Sequence, residues 1–507
     1  MIKIGNRREL FVDDYILDTE KTTAETRLHH PVRRGDEIVM DGEGEGNVCG
    51  YPYVFYSEGK WRMYHRAGGL LPNGEIDPTC RISYRESDDG IHWIKPELGI
   101  IEYNGSKRNN FILDTEFAKQ YGVTHLCGST HVFYDNNPAC LPDEKYKMVI
   151  CTKGDDKLIS MVSPDGIHFK NHGLVSDDGA FDSLNLAFWS EEQGKYFCYF
   201  RGEHVPDSTV AFEEFSYFQA MANRLWDPEK LRYREPSAED IPFMRDVRVT
   251  TSTDFINWEK PKLIGLPDDH VQLYTNNVIP YPRAPHIFVG FPVRYYERKA
   301  WTPNYDELCG REDRIRRRDN CTAREGLVIT DCLFMSSRDG YNFNRYDEAF
   351  LRPPVEHDYS WVYGDCYMAQ GLVETASDIP GADTEYSFYV SENWRAKNGY
   401  NKFARYTIRK DGFVSLHAPF EEKVAYTKEF VYTGTVLYAN VETSGRGHVY
   451  FTLISDGIEY PSYEIFGNST DKRISFIDPD AVSKLSGKKV VMKMSILDSD
   501  VYSFKFE

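Results

Sequence analysis

The heptapeptide "SDDGIHW" at residues 87–93 returns along the chain as "SPDGIHF" at 163–169 and "SRDGYNF" at 337–343. Two weaker copies are "STDFINW" at 252–258 and "RKDGFVSL" at 409–416. In each copy we expect the aspartate to cap its own turn, glycine to take the positive-φ position, and the closing aromatic residue to pack between repeats. The five aspartates, at positions 89, 165, 254, 339 and 411, lie 72 to 89 residues apart. This spacing indicates five copies of a unit of roughly 80 residues.

The unit around each turn is rich in strands. Short runs of alternating polar and apolar residues precede the turns, which is typical of half-buried strands. These runs are "KWRMYHRA" (60–67), "KYKMVICTK" (145–153), "KYFCYFRGE" (195–203), "HIFVGFPVRYY" (286–296) and "EYSFYVSE" (385–392). Five strand-rich units with loops of unequal length predict an all-β fold built on a five-bladed β-propeller.

The repeat stops near residue 420. Beyond it, "EFVYTGTVLYANVE", "GHVYFTLIS", "KKVVMKMSIL" and "DVYSFKFE" alternate as strands separated by Gly, Asn and Asp. We therefore expect a C-terminal β-sandwich after the propeller. The predicted parts are an N-terminal strand or lead-in segment over 1–40, a propeller with the candidate catalytic site over 41–420, and the sandwich over 421–507.

The composition excludes several classes of function. The chain has 507 residues and a net charge of −19, so it is unsuited to binding nucleic acid or an anionic membrane. It has no apolar run long enough to span a bilayer, and charges interrupt its N-terminal segment, unlike a secretory signal. Its ten cysteines form no C-x-x-C pair or metal-like spacing. We expect a cytoplasmic protein with reduced thiols and no cofactor, and leave a homo-oligomer open.

A five-unit propeller with an appended β-sandwich resembles the furanosidase-like glycoside hydrolases of families 32, 43 and 68. The segments "ELFVDDYIL" (9–17), "FDSLNLAFW" (181–189) and "RYTIRKDGFVSLHAPF" (405–420) look more specifically like uncharacterised bacterial proteins similar to family 32. This resemblance covers the whole chain and implies a glycosidase. However, the Trp-Met-Asn-Asp-Pro-Asn-Gly, Arg-Asp-Pro and Glu-Cys motifs of family 32 are absent, so hydrolysis of fructan or sucrose does not carry over.

The residues that precede each innermost strand should ring one funnel at the face that carries the active site. Glycosidic cleavage needs two carboxyl groups, one protonated and one ionised, and we predict Asp182, Glu45 and Asp365 as the catalytic acids. Neighbouring positions supply predicted substrate-binding residues. They are Glu43, His131, Asn185, Tyr274, Asn276 and Trp361.

The ends of the second strands should reach the same funnel, and four of them carry a cation. The predicted substrate-binding residues here are Arg66, Lys153, Arg201 and Arg294, together with Glu203 and Glu392. The cations either pair with the inward carboxylates or hold an anionic group of the ligand by forked hydrogen bonds. The basic stretch "REDRIRRRDN" (311–320) interrupts the fourth unit between its second and third strands. A loop over the funnel and an oligomer contact are both open for it, although a bare charge run is more typical of a solvated surface segment.

Three functions remain. The leading hypothesis is a glycoside hydrolase that acts on an oligosaccharide or glycoside carrying, or lying beside, an acidic group. A glycoside phosphorylase would use the cations to bind inorganic phosphate. A non-catalytic carbohydrate-binding propeller would bind without turnover. No Gly-rich phosphate loop, H-E-x-x-H or G-x-S-x-G motif favours another chemistry.

Overall fold

The computed structural model describes residues 1–40, 44–69, 80–120, 126–152, 157–268, 270–395 and 401–507, with only the backbone for 126–129. Five sheets of four or five strands lie between residues 32 and 408, and each sheet is one blade of a five-bladed β-propeller. The prediction of an all-β propeller is therefore confirmed. The innermost strands of the first and fifth blades are parallel neighbours, joined at Tyr53 and Gln370.

Four strands precede the first blade. They are β1 Ile2–Gly5, β2 Glu9–Leu10, β3 Glu25–Leu28 and β4 Val32–Val39. Blades 1 and 2 then run from their innermost strand outward in chain order. Blade 1 contains β5 Gly50–Ser57, β6 Lys60–Ala67, β7 Arg81–Ser87 and β8 Phe111–Asp114, followed by helix α1 Thr115–Lys119. Blade 2 contains β9 Leu126–Tyr134, β10 Tyr146–Thr152, β11 Lys157–Ser163 and β12 Lys170–Ser176, with a 3₁₀ turn at Pro142–Glu144.

Blades 3 and 4 each carry an insertion after the second strand. Blade 3 contains β13 Leu186–Ser190, β14 Lys195–His204, β17 Met244–Ser252 and β18 Lys262–Leu263, and its insertion holds α2 Gln219–Leu225, β15 Trp226–Asp227 and β16 Arg232–Tyr233. Blade 4 contains β19 Ile279–Tyr281, β20 Ala284–Gly290, β21 Val293–Glu297, β22 Val328–Ser337 and β23 Phe343–Leu351. Its insertion holds α3 Pro303–Glu307, α4 Arg311–Asn320 and α5 Ala323–Leu327. Pro292, which has no N–H to donate, lies where the second strand breaks into β20 and β21.

Blade 5 is closed by a strand from the start of the chain. Its own strands are β24 Tyr367–Met368, β25 Val373–Thr375, β26 Glu385–Glu392 and β27 Lys402–Ile408. The outermost position belongs to β4, which pairs antiparallel with β27, so that Val39 faces Lys402 and Val32 faces Thr407. The ring of blades is thus joined by hydrogen bonds between distant segments.

The remaining strands form a ten-stranded sheet together with β1, β2 and β3. They are β28 Val414–Ala418, β29 Lys423–Tyr426, β30 Phe430–Tyr432, β31 Leu437–Ser455, β32 Ile458–Pro461, β33 Asn468–Ile474 and β34 Lys489–Phe506, with helix α6 Ala481–Leu485. A separate apolar core, which includes Phe430, Phe451 and Phe504, lies within this unit. The predicted sandwich topology and the boundaries at residues 40 and 420 stay predictions.

The repeated turns connect neighbouring blades by hydrogen bonds. At Asp165, the carboxylate accepts hydrogen bonds from the N–H groups of Ile167 and His168, both at 2.9 Å. Gly166 takes a φ of +78°, and its carbonyl accepts a 3.0 Å bond from the hydroxyl of Tyr64 in blade 1. Asp89, Asp254 and Asp339 cap their turns in the same way. Aspartate capping is confirmed in these four copies, but in the copy at 252–258 Phe255, at a φ of +64°, takes the positive-φ position predicted for glycine.

The fifth copy is different, and the prediction of a self-capping turn at Asp411 is wrong. Asp411 is fully buried and accepts hydrogen bonds from Tyr281, at 2.6 Å, and Ser503, also at 2.6 Å. Arg8 and Arg283 complete the network at 3.2 and 3.1 Å. This copy therefore ties the propeller to the C-terminal strands through long-range charge pairs.

Candidate active site

Asp182 and Asp365 each lie just before the inner strand of their blade, β13 and β24. The insertions of blades 3 and 4 leave from the face where the inner strands begin and share an apolar cluster that includes Tyr217, Leu225, Tyr305 and Leu327. Trp361, in the loop before blade 5, packs against this cluster. We call residues 205–243 and 298–327 together the cap. The cap encloses part of the candidate site.

Basic residues of the cap are buried, contrary to the expectation of a solvated segment. The stretch 311–320 is helix α4, and Arg314 and Arg317 are only 2% and 3% exposed. Arg317 pairs with Asp313 one turn earlier at 2.7 Å. Arg314 donates to the carbonyl of Cys309 at 3.3 Å, and burial lowers its pKa. The charge run is thus internal at Arg314 and Arg317, whereas its two ends, residues 311–312 and 319–320, are exposed.

Asp182 and Arg201 form the charged centre of the described site. Asp182, whose side chain is 66% exposed, pairs with the buried guanidinium of Arg201, and Glu203 lies 3.6 Å from the same group. The Arg201 guanidinium also lies 5.4 Å from the ring centroid of Tyr274. Burial opposes the charge, but Asp182, Tyr274 and Glu203 raise the pKa of Arg201 above its ordinary value. The structure thus brings together four of the predicted residues.

The loop that presents Asp182 is shaped by Asn185. The Asn185 side chain is buried and donates to the carbonyls of Phe181, at 2.8 Å, and Ser183, at 3.1 Å. These bonds hold the backbone on both sides of Asp182. Asn185 therefore acts as a positioning residue for the carboxylate.

An aromatic floor lies under this charged centre. It is formed by Tyr51, Tyr274, Tyr363, Tyr367 and Trp394, which belong to one apolar cluster. The Tyr363 hydroxyl donates to the Tyr274 hydroxyl at 2.8 Å, and the rings of Tyr274 and Tyr363 meet edge to face at 5.8 Å. Because water is kept from such a floor, electrostatic interactions above it are strengthened.

Asp365 is a buried carboxyl group in the loop before blade 5. It is 5% exposed and accepts a 3.0 Å hydrogen bond from the N–H of Val362. Burial raises its pKa from 3.8 to about 7, although the backbone donors and Arg314 oppose the shift. A carboxyl group with this pKa is partly protonated at neutral pH and is able to donate a proton.

Glu45 is equally buried but is held as an anion. Ser83 and Arg85 of β7 donate to its carboxylate at 2.9 and 2.6 Å, and His65 lies 3.4 Å away. Burial opposes ionisation, yet His65 and Arg85 hold the pKa of Glu45 well below its usual range. Glu45 lines a cavity of about 320 Å³ formed with residues 95–111. These contacts are those of an ionised group within blade 1.

His131 and Glu392 lie in the body of the propeller. His131 is 1% exposed, contacts Gln370 at 3.1 Å and accepts the N–H of Ala187 at 3.3 Å. Burial lowers its pKa to about 4, so it is neutral at ordinary pH. Glu392 pairs with Arg33 of β4 at 2.9 Å, and this pair joins blade 5 to its closing strand.

The other predicted binding residues are distributed more widely. Arg294 binds Asp331, with Nε and Oδ1 2.9 Å apart, and lines a cleft of about 550 Å³ with Trp361. The Nε of Arg66 and the amide N and O of Asn276 are buried. Within the described ranges, these three atoms have no hydrogen-bond partner. Glu43 and Lys153 lie outside the described residues.

Several residues of the site escaped the sequence-based prediction. Tyr51 of the aromatic floor and Arg314 of the cap have been described above. Arg245, on β17, donates to Gln272 at 2.8 Å, and its guanidinium lies 3.8 Å from the Tyr295 ring centroid. No motif marks Arg245 on its third strand, whereas the arginines of the 311–320 charge run are a visible signal for the cap.

Among the residues that the structure describes, no group of three or more His, Cys, Asp and Glu side chains is arranged to hold a metal ion. Within the same ranges, no helix is both long and apolar enough to cross a membrane.

No family model and no curated protein matches the sequence. One similar solved structure is described under the GH130 family of mannoside phosphorylases, which contains glycoside hydrolases that target β-1,2 mannosidic linkages in Candida mannan. The sequence identity is 14%, the match covers 76% of this chain and 94% of that chain, and the TM-score is 0.40. A family-43 arabinoxylan arabinofuranohydrolase from Bacillus subtilis is 11% identical, and the match covers 91% of this chain and 96% of that chain, with a TM-score of 0.39. An N-acetylgalactosamine deacetylase from F. plautii is 12% identical, and the match covers 77% of this chain and 94% of that chain, also with a TM-score of 0.39. Likeness of this degree assigns no activity to the chain.

Proposed function

We propose that the chain is a glycoside hydrolase that cleaves a glycosidic bond beneath the cap. The observation that carries the proposal is the placement of two carboxyl groups just before inner strands: Asp182, paired with Arg201, before β13, and the buried Asp365 before β24. The raised pKa of Asp365, about 7, agrees with a proton donor. Two carboxyl groups in such different environments fit the two roles that glycosidic cleavage requires.

In this mechanism Asp365 is the general acid. It donates its proton to the glycosidic oxygen as the bond to the anomeric carbon breaks. Asp182, oriented by Arg201, acts on the anomeric carbon either as the nucleophile or as the base that deprotonates water. Tyr363, the partly exposed member of the aromatic floor, packs against the sugar ring. Glu45, held as an anion by Arg85, has no part in the proton transfer and stabilises blade 1.

The arginines favour a substrate with an acidic group near the scissile bond. The Nε atoms of Arg66 and Arg201 are buried and make no hydrogen bond to any described residue. Arg66 is partly exposed, and a carboxylate or sulfate of the substrate would accept charge-assisted bonds from the accessible part of its guanidinium. The same donors favour a second candidate function, phosphorolysis, in which inorganic phosphate takes the place of water.

The experiment is a product-release assay on neutral and acidic oligosaccharides, with and without inorganic phosphate. Wild type is compared with Asp182→Asn, and with Asp88→Asn as a control at an exposed position in blade 1. We expect release from acidic substrates without phosphate, lost in Asp182→Asn and kept in the control. Strict dependence on phosphate would replace the hydrolase by the phosphorylase. Saturable binding without turnover of any substrate would favour the carbohydrate-binding propeller.

A further inference from the structure

A second cavity lies at the opposite end of the inner strands from Asp182. It has a volume of about 640 Å³ and is lined by residues from all five blades. The lining includes Phe55 and Tyr56 late in β5, Phe133 in β9, and Phe188 and Trp189 in β13. Asp182 precedes the start of β13, whereas these residues lie towards the ends of their strands. The cavity is therefore on the face opposite the candidate active site.

Packed side chains separate the two sites. His131 contacts Gln370 at 3.1 Å, and its ring lies 5.1 Å from that of Tyr53. Both His131 and Tyr53 are 1% exposed, and Gln370 itself lines the cavity. A ligand in the cavity would thus be held apart from the Asp182–Arg201 pair by a closed layer of the propeller.

The chemistry of the lining favours a neutral ligand with flat apolar faces. Aromatic rings and prolines dominate it, and Tyr56 is 55% exposed at the opening. Its charged members are the carboxylates Glu191 and Glu374, and it contains no Lys, Arg or His among the described residues. Glu374 already accepts a hydrogen bond from Thr384 and lies 3.4 Å from Lys410, so its charge is balanced.

Sugar rings match this lining. Their C–H faces pack on aromatic side chains, and their hydroxyl groups donate to carboxylates such as Glu191. The volume lies in the ordinary range for ligand pockets. An acidic sugar would meet the carboxylate of Glu191 and find no cation in the described lining, which disfavours it. An organic cation would be attracted to the aromatic faces by cation–π interactions. It would, however, meet only one unpaired carboxylate, because Glu374 is already paired with Lys410.

We propose that this cavity is a second, non-catalytic binding site for a neutral oligosaccharide. The proposal is independent of the proposed hydrolase, because it concerns residues on the other face. It predicts that the full chain binds neutral sugars even when turnover at Asp182 is abolished.

Calorimetric titration of the Asp182→Asn protein tests the proposal. Neutral manno-, xylo-, cello- and malto-oligosaccharides are compared with oligogalacturonate and tetramethylammonium. Tyr56→Ala, introduced into the same background, removes an exposed ring of the cavity. The matched control is Tyr463→Ala, which removes a ring 59% exposed in the C-terminal unit.

We expect at least one neutral oligosaccharide to bind saturably, and Tyr56→Ala to weaken this binding by about tenfold or more, the effect of losing a stacking contact. Tyr463→Ala leaves the affinity unchanged. Neutral-sugar binding that Tyr56→Ala does not alter, binding of tetramethylammonium or oligogalacturonate alone, or no saturable binding up to about 10 mM would each overturn the proposal. Loss of product release in the earlier assay would not affect these outcomes.

Discussion

Glu45 in blade 1 and Asp365 before blade 5 were both predicted as catalytic carboxyl groups, and both are buried. Their pKa values nevertheless move in opposite directions. Glu45 meets a serine hydroxyl, an arginine and a histidine, which keep it ionised. Asp365 meets mainly backbone N–H groups, so the cost of burying its charge dominates and raises the pKa to about 7. The number of charged donors, rather than burial, decides the protonation state.

The largest effect should come from Asp365→Asn. An asparagine keeps the shape of the side chain but has no proton to transfer, so we expect kcat to fall by roughly 10²- to 10⁴-fold. Initial rates on the substrate found in the release assay measure this loss, with Asp88→Asn as the control. In wild type, the rate should also decline as pH rises above about 7, because Asp365 then loses its proton. Full activity in Asp365→Asn would assign the acid role to another group.

Glu45→Gln should damage stability rather than chemistry. The substitution leaves Arg85 buried without its anionic partner, and breaking a buried pair in this way costs about 3–5 kcal/mol. Chemical denaturation measures the free energy of unfolding. The matched control is Glu86→Gln, which removes a partly exposed pair with Lys60 and should cost about 1 kcal/mol or less. Equal losses in the two variants would contradict the role given to Glu45.

The pH dependence of stability separates Asp365 from His131. Folding raises the pKa of Asp365 from 3.8 to about 7, so the folded state binds more protons and stability falls as pH rises through this window. A shift of about three pKa units corresponds to at most about 4 kcal/mol. Folding lowers the pKa of His131 from 6.5 to about 4, so its contribution rises with pH over that range.

The two contributions oppose each other in wild type. We therefore expect Asp365→Asn to leave a stability that increases between pH values of about 4 and 6.5, where wild type is flatter. Unfolding measured at several pH values across this range checks the slope. An identical pH profile in the variant and wild type would mean that Asp365 is not a titrating buried group.

The smallest effect is expected at the turns. Asp165→Ala removes the acceptor for two backbone N–H groups in a partly exposed loop, at a cost of about 1 kcal/mol. Asp411→Ala, by contrast, leaves Arg8 and Arg283 without their shared partner and should cost several times more. Thermal unfolding of both variants tests this contrast. A cost at Asp165 as large as that at Asp411 would show that the Asp165 carboxylate does more than cap its own turn.

The propeller could be predicted because its turns are locally determined. Each serine, aspartate and glycine acts within a few residues, so the pattern survives in the sequence. The proximity of Asp182 and Arg201 was likewise accessible, since β13 and β14 form one hairpin in which Leu186 faces Tyr199. Both residues belong to the same short segment of chain.

What escaped prediction depends on distant partners. Arg85 reaches Glu45 from the third strand of blade 1, which carries no distinguishing pattern. The burial of Arg314 requires two insertions from different blades to meet, and neither belongs to the repeat. Asp411 matches the turn motif, but its partners come from the start, middle and end of the chain. In each case the neighbours, not the motif, determine the role.

The pairing of β4 with β27 has a consequence for synthesis of the chain. The two strands are separated by roughly 370 residues, which a ribosome needs on the order of half a minute to produce. During that time the edge of β4 has no native partner, and its exposed backbone is open to pairing with other chains. β4 carries four charged residues, Arg33, Arg34, Asp36 and Glu37, and charges on an edge strand discourage such pairing. The fifth blade is thus completed by a strand that is synthesised before the first blade.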